Sequence, residues 1–302
     1  MKRAAAVDFG LVTVARAVEE VDRSEYAVDV QRSEWLLAAL LLLVFAPAGI
    51  ALGGVWLSVD YYSHGFLVPL VAYWALTRSR TRFSPLENRD RRGFAVAALA
   101  AVVYAVGLAT SVVSLQGLGL VAAIAACALY LGGVQGVRVL AFPLAFLVFM
   151  VPLPQTWITP LIVQLQLIVS ATAVNLLDWL GSGAVRHGNV IQLPAGDELF
   201  VAEACSGITS IVTLTPLAVM FAYFTESTLA RRMTIILAVV PAAVLGNLLR
   251  VSLTVAAAER YGVDAATGNL LHESAGLITF TLACLALIAL GGLMKRFSPA
   301  GS

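Results

Sequence analysis

Apolar runs of near-bilayer length recur from Trp35 to Leu293, separated by short polar breaks. A helix needs about 20 apolar residues to cross the hydrocarbon core, and Trp35–Gly54, Gly93–Thr110, Leu115–Gly133, Met233–Ala257 and Ser274–Leu293 all approach that length. With 60% hydrophobic and 12% charged residues, the chain has too little polar surface for a soluble fold. The pattern predicts an all-α polytopic membrane protein whose setting is the membrane, with no nucleic-acid partner. Residues 1–34 read as a cytoplasmic N-terminal tail, 35–296 as one transmembrane domain, and 297–302 as a cytoplasmic C-terminal tail. The polar N-terminal stretch leaves no cleavable signal peptide visible, so the first run reads as the insertion signal.

The basic residues orient the runs. Arg78, Arg80, Arg82, Arg89, Arg91 and Arg92 form the strongest positive cluster and face the cytoplasm. Arg231 and Arg232 mark a second inner loop and Lys295-Arg296 a third. Between them the runs alternate, giving about eight spans with both termini inside. Besides the five long runs, these are Gly65–Thr77, Val139–Val151 after a tiny turn holding Arg138, and Thr209–Phe224. Trp56, Tyr61, Tyr62 and His64 make an aromatic interface belt. Pro241 and Gly246 are expected kinks.

Ile158–Leu180 is long enough to span but carries Gln164, Gln166, Ser170, Thr172, Asn175 and Asp178. A crossing there would put Cys205 on the cytoplasmic side and break the positive-inside pattern. The expectation is an interfacial helix or a re-entrant helix pair. Gly183–Glu203 predicts a small extracytoplasmic hairpin, with Val190, Ile191 and Leu193 in one strand, a turn at Pro194–Asp197, and Leu199–Val201 in the other.

Three side chains from successive spans then fall on one side of the membrane. Cys205 stands where an outside loop enters Thr209–Phe224; loop water and the helix start both favour thiolate, the nucleophilic form. Arg250 sits within a span about 10 Å below its outer end, a placement that costs ~2.5–3.5 kcal/mol without a partner or a wet cavity. It reads either as a snorkelling structural residue or as a fixed charge aimed at an oxyanion. His272 opens the last span and reads either as a solvated interface residue or as a proton-transfer group. Nucleophile, proton carrier and anion stabiliser are the parts of acyl transfer. Glu203, Ser206 and Asn247 are expected to support the substrate pocket. Cys127 and Cys284 read as packing residues, and the spacing of cysteines and histidines implies no metal and no cofactor.

Four stretches resemble the exosortase/archaeosortase family: Tyr62-Ser63-His64-Gly65-Phe66-Leu67-Val68-Pro69, Phe149-Met150-Val151-Pro152-Leu153-Pro154, Glu203-Ala204-Cys205-Ser206-Gly207-Ile208, and Asn247-Leu248-Leu249-Arg250 followed by His272-Glu273-Ser274-Ala275-Gly276. The resemblance implies an integral-membrane, sortase-like cysteine transpeptidase of the inner (plasma) membrane, with its active site on the extracytoplasmic side. Its implied catalytic set falls on Cys205, Arg250 and His272, and the histidine in third place points to the bacterial branch. The implied partners are exported proteins with a C-terminal Pro-Glu-Pro type motif, a transmembrane helix and a basic tail (PEP-CTERM type), and an exopolysaccharide or lipid acceptor. Thr209 stands where an arginine often follows the Cys-Ser-Gly motif, which leaves the exact sorting motif open. A transporter or lipid flippase with an anion-binding arginine is the rival reading, and a catalytically silent scaffold a third. Both leave Cys205 without a task.

Overall fold

In the computed structural model, residues 36, 39–40, 42–79, 82–86, 89–201 and 205–296 are described, with the backbone alone for 269–273. The expected tails 1–34 and 297–302, Trp35, Arg80 and Glu203 lie outside the described residues. The chain falls into two compact units, residues 1–50 and 51–302. In the first, residues 42–50 are helical.

Among the described residues, six helices are long and apolar enough to cross a membrane. They are Arg92–Ala109 (α3), Val113–Val139 (α4), Gln155–Trp179 (α6), Ile208–Thr225 (α7), Leu229–Tyr261 (divided below into α8 and α9) and Ser274–Arg296, the greater part of Asn269–Arg296 (α11). Three expected crossings are shorter: Leu42–Ser58 (α1), Leu67–Ser79 (α2), and the stretch Ala141–Met150, made of Ala141–Phe146 (α5) and a 3₁₀ turn. The all-α polytopic membrane class expected from the apolar runs holds.

Two helices break where backbone chemistry requires it. Met233–Ala257 was expected to kink at Pro241; the interruption falls at Ala238, between Leu229–Leu237 (α8) and Val239–Tyr261 (α9). Proline at 241 has no N–H to give the carbonyl of Leu237, so the helix loses that bond one turn upstream. The turn expected around Arg138 is instead helical through Val139, and the break sits at Gly133, whose φ of 59° suits glycine.

Around α9 the second unit packs α6, α7, α10 (Val263–Thr267) and α11. At the basic end Leu214, Ala218, Ala222, Ile235, Val239, Ala243, Ala283 and Leu287 form one core. There the buried Glu226 carboxylate meets the Lys295 ammonium at 3.6 Å, joining the ends of α7 and α11.

α6 is one continuous helix of 25 residues, so the re-entrant pair is corrected: Pro160 lies in its first turns, where few intrahelical bonds are lost. Although long enough to cross, it makes its core contacts at the Cys205 end. Ile158, Ile162 and Leu165 pack with Tyr61, Tyr62 and Ile208, and with Val244 beside them. Val169, Ala173 and Leu177 pack with Val251, Val255 and Ala258. Both series climb together, so α6 runs parallel to α9 and away from the basic end. A helix lying in the plane of the interface would instead run across α9, and α6 is itself among the helices long and apolar enough to cross.

Its polarity has a use. The Gln166 amide donates to the Val201 carbonyl (3.0 Å) and the Ser170 hydroxyl to the Gly188 carbonyl (3.2 Å), both on the segment expected as a hairpin. That segment is a three-stranded antiparallel sheet: Val185–His187 (β1), Val190–Gln192 (β2) and Glu198–Phe200 (β3), in the order β1-β2-β3. The unexpected β1 turns at Gly188-Asn189, with Gly188 at φ 67°, a two-residue hairpin signal readable in the sequence. Strands of three residues do not hold in water alone. Here Ile191, Leu193, Leu199 and Val201 are buried against α6 and α9, each worth roughly 1.5–3 kcal/mol.

Candidate active site

The segments singled out from the sequence pack at one end of the bundle. The 3₁₀ turn Asp60–Phe66 brings Tyr62, whose hydroxyl accepts the Leu153 N–H at 2.7 Å. Trp56 donates its indole N–H to the Met150 carbonyl at 2.9 Å. Gly65 is required there, because a Cβ would stand 2.3 Å from the Trp56 ring nitrogen. His64 is half-buried, and burial holds its pKa below the usual imidazole range against an opposing pull from the backbone of Phe149 and Tyr61. These groups frame the site through Tyr61 and Tyr62, which lie on Ile208 at the start of α7.

Cys205 sits in a short turn before α7 and is only 8% exposed. Asn247 of α9, itself buried, donates its side-chain amide to the Cys205 carbonyl. Ser206 is fully buried, its hydroxyl accepting the Ile208 N–H at 3.2 Å. Gly207 then starts the helix at φ 89°, a left-handed conformation, with Asn247 so near that a Cβ would lie 3.3 Å from that of the asparagine. Gly207→Ala is therefore expected to cost about 1–2 kcal/mol of stability. It should also push Asn247 off the Cys205 carbonyl, so that activity falls by more than the loss of folded protein accounts for. Thermal unfolding measured beside activity per folded molecule checks this; an unchanged melting temperature would remove the strain argument.

Arg250 reaches Cys205 electrostatically. Burial pushes the Cys205 thiol above its usual pKa, and the Arg250 charge pulls it back part of the way. The expectation of a water-bathed thiolate is corrected: the turn is packed under Leu199, Val201 and Val251, and desolvation outweighs the nearby cation. The Arg250 guanidinium lies against Gly276 of α11, where an added methyl carbon would stand 3.3 Å from Cζ and Nη2. A side chain there would make the guanidinium give way by a few tenths of an ångström. Thr254, one turn on, folds its hydroxyl onto the Arg250 carbonyl at 2.9 Å.

His272 lies in the first turn of α11, one turn before Gly276 along the backbone, and its side chain is outside the described residues. Glu203 is too. The structure thus brings Cys205, Ser206, Asn247 and Arg250 together and places the backbone of His272 near Arg250's partner. Cys127 and Cys284 are half-buried and unpaired in α4 and α11. Among the described residues no three His, Cys, Asp or Glu side chains gather as metal ligands.

The Gly183–Glu203 segment supplies one wall of the site. Leu199, Phe200, Val201, Val251, Thr254 and Thr267 line a cavity of about 260 Å³ that Cys205 also borders. Gln166, one of the polar residues singled out in Ile158–Leu180, holds this wall through Val201. No curated protein and no solved structure matches the chain. A family model described as transmembrane exosortase (Exosortase_EpsH) matches residues 56–289, a span that takes in the frame, the Cys205 turn, Arg250 and Gly276. The chain belongs to the transmembrane exosortase family, membrane-embedded processing enzymes of sortase-like kind.

Proposed function

We propose that this protein cuts exported membrane-anchored proteins at a C-terminal sorting signal and transfers them to a surface acceptor through a Cys205 thioester. The signal is a Pro-Glu-Pro type motif followed by a transmembrane helix and a basic tail. The single observation that supports this most is Cys205 lining a cavity within the field of Arg250. A transporter's anion site has no use for a thiol so placed.

Because burial keeps the thiol neutral at rest, a base must take its proton as it attacks. His272 is proposed for that part. The sulfur adds to the scissile carbonyl, and the developing oxyanion is stabilised by the Arg250 guanidinium. When the C–N bond breaks, His272 returns its proton to the leaving amine, and the substrate remains as a thioester. An acceptor hydroxyl or amine, from an exopolysaccharide or lipid group, then attacks the thioester carbonyl, and the sulfur leaves. The site works on the extracytoplasmic side of the inner membrane, where the motif of an anchored substrate emerges. Glu203, Ser206 and Asn247 are proposed to support the substrate pocket.

The thioester is the testable species. With an anchored substrate and no acceptor, intact-mass measurement is expected to find the substrate's N-terminal portion on Cys205, released by hydroxylamine. Cleavage without any hydroxylamine-sensitive adduct would turn the reading toward direct hydrolysis by another group.

A further inference from the structure

β3 is an edge strand, and among the described residues nothing pairs with its outer side. The ladder fixes what that side offers. Leu193 N–H donates to the Asp197 carbonyl (2.8 Å) and Val201 N–H to the Asn189 carbonyl (2.9 Å). In the observed register these two pairs bracket Ile191↔Leu199, so residues 197, 199 and 201 turn their backbone groups toward β2. Alternation leaves the N–H and C=O of Glu198 and Phe200 pointing outward. The same strand contributes Leu199 and Phe200 to the Cys205 cavity.

We propose that β3 is the docking strand for the substrate, which adds to it as a fourth, extended strand and lays an apolar side chain into the cavity beside Cys205. Donor and acceptor pairs repeating every second residue, about 6.8 Å apart, match an extended polypeptide. A lipid chain has no such groups. The cavity lining is apolar apart from Thr254, Thr267 and the thiol, which suits one aliphatic side chain or proline ring. The pairing also dictates where proline is tolerated. A substrate residue facing β3 must bring an N–H, so proline is barred there and accepted at its neighbours, whose backbone faces away. A Pro-x-Pro order satisfies this, with the middle residue paired to Phe200. The docking rests on the proposed function for the identity of the reacting sulfur and for the Pro-Glu-Pro motif of the substrate.

The test separates the two. Full-length Cys205→Ala protein is presented with a photoreactive peptide bearing Pro-Glu-Pro ahead of an apolar helix, and covalent capture is measured. N-methylation of the central glutamate, which removes the paired donor, is expected to lower capture at least tenfold. Exchange of either flanking proline for N-methylalanine should leave it within threefold. Equal capture of the parent and the N-methyl-glutamate peptide, or no capture of the parent, overturns the docking. Cleavage of the parent peptide by the Cys205→Ala chain would leave the docking standing and remove the thioester mechanism instead.

Discussion

Cys205→Ala is expected to leave an anchored substrate uncut, a loss of about 10³-fold or more, while the protein still inserts and folds. The side chain is small and nearly closed off, so truncation leaves a gap worth only about 1 kcal/mol. Asn247 bonds the backbone carbonyl of residue 205, not its sulfur, and that bond survives the change. Cys205→Ser keeps shape as well as backbone, yet its hydroxyl ionises far less readily than a thiol and should be almost as inactive. Alkylation tells whether the native sulfur has the expected character. Burial raises its pKa, so the reactive anion is scarce at neutral pH and grows as pH rises. The rate with iodoacetamide should therefore climb through the alkaline range, above that of an ordinary exposed cysteine. Reaction that is already fast and flat at neutral pH would mean that the cation outweighs desolvation, and the demand for a proton acceptor would lapse.

How much of this was legible beforehand follows from what each residue interacts with. The span pattern depends on local composition, and Arg250 announces itself because a guanidinium in an apolar run has few bland explanations. Cys205 was legible as a position but not as an environment. Its exposure depends on how Leu199 and Val201, just upstream, and Val251, from a distant helix, pack against it, and that packing is not a local property of the sequence. The helix Gln155–Trp179 shows the same limit. Its glutamine and serine looked like marks of an interface, and two of them are spent on carbonyls of a sheet that follows in the chain. The strand Val185–His187 was readable, because Gly188-Asn189 is a hairpin turn; the apolar strand after it drew the attention. Gly276 was legible only as the end of the His272–Gly276 stretch; that the Arg250 guanidinium of a neighbouring helix lies against it depends on the fold.

Arg250→Lys is expected to lower processing by roughly 10²–10³-fold, the scale of losing one oxyanion donor, and Arg250→Met at least as much. The two variants differ in what they do to the thiol. Methionine removes the charge that pulls the Cys205 pKa down, so its alkylation profile should move to higher pH. Lysine retains a cation and should bring that profile back toward the parent's. It cannot replace the planar fork of the guanidinium, which lies against Gly276, because an ammonium on a flexible stem is a point charge. Alkylation without rescue of processing is thus the signature of a donor aimed at the reacting carbonyl. If lysine restores processing along with the alkylation profile, Arg250 serves only to tune the sulfur, and the oxyanion must be held by other groups, of which the backbone N–H groups at the start of α7 are the nearest in the chain.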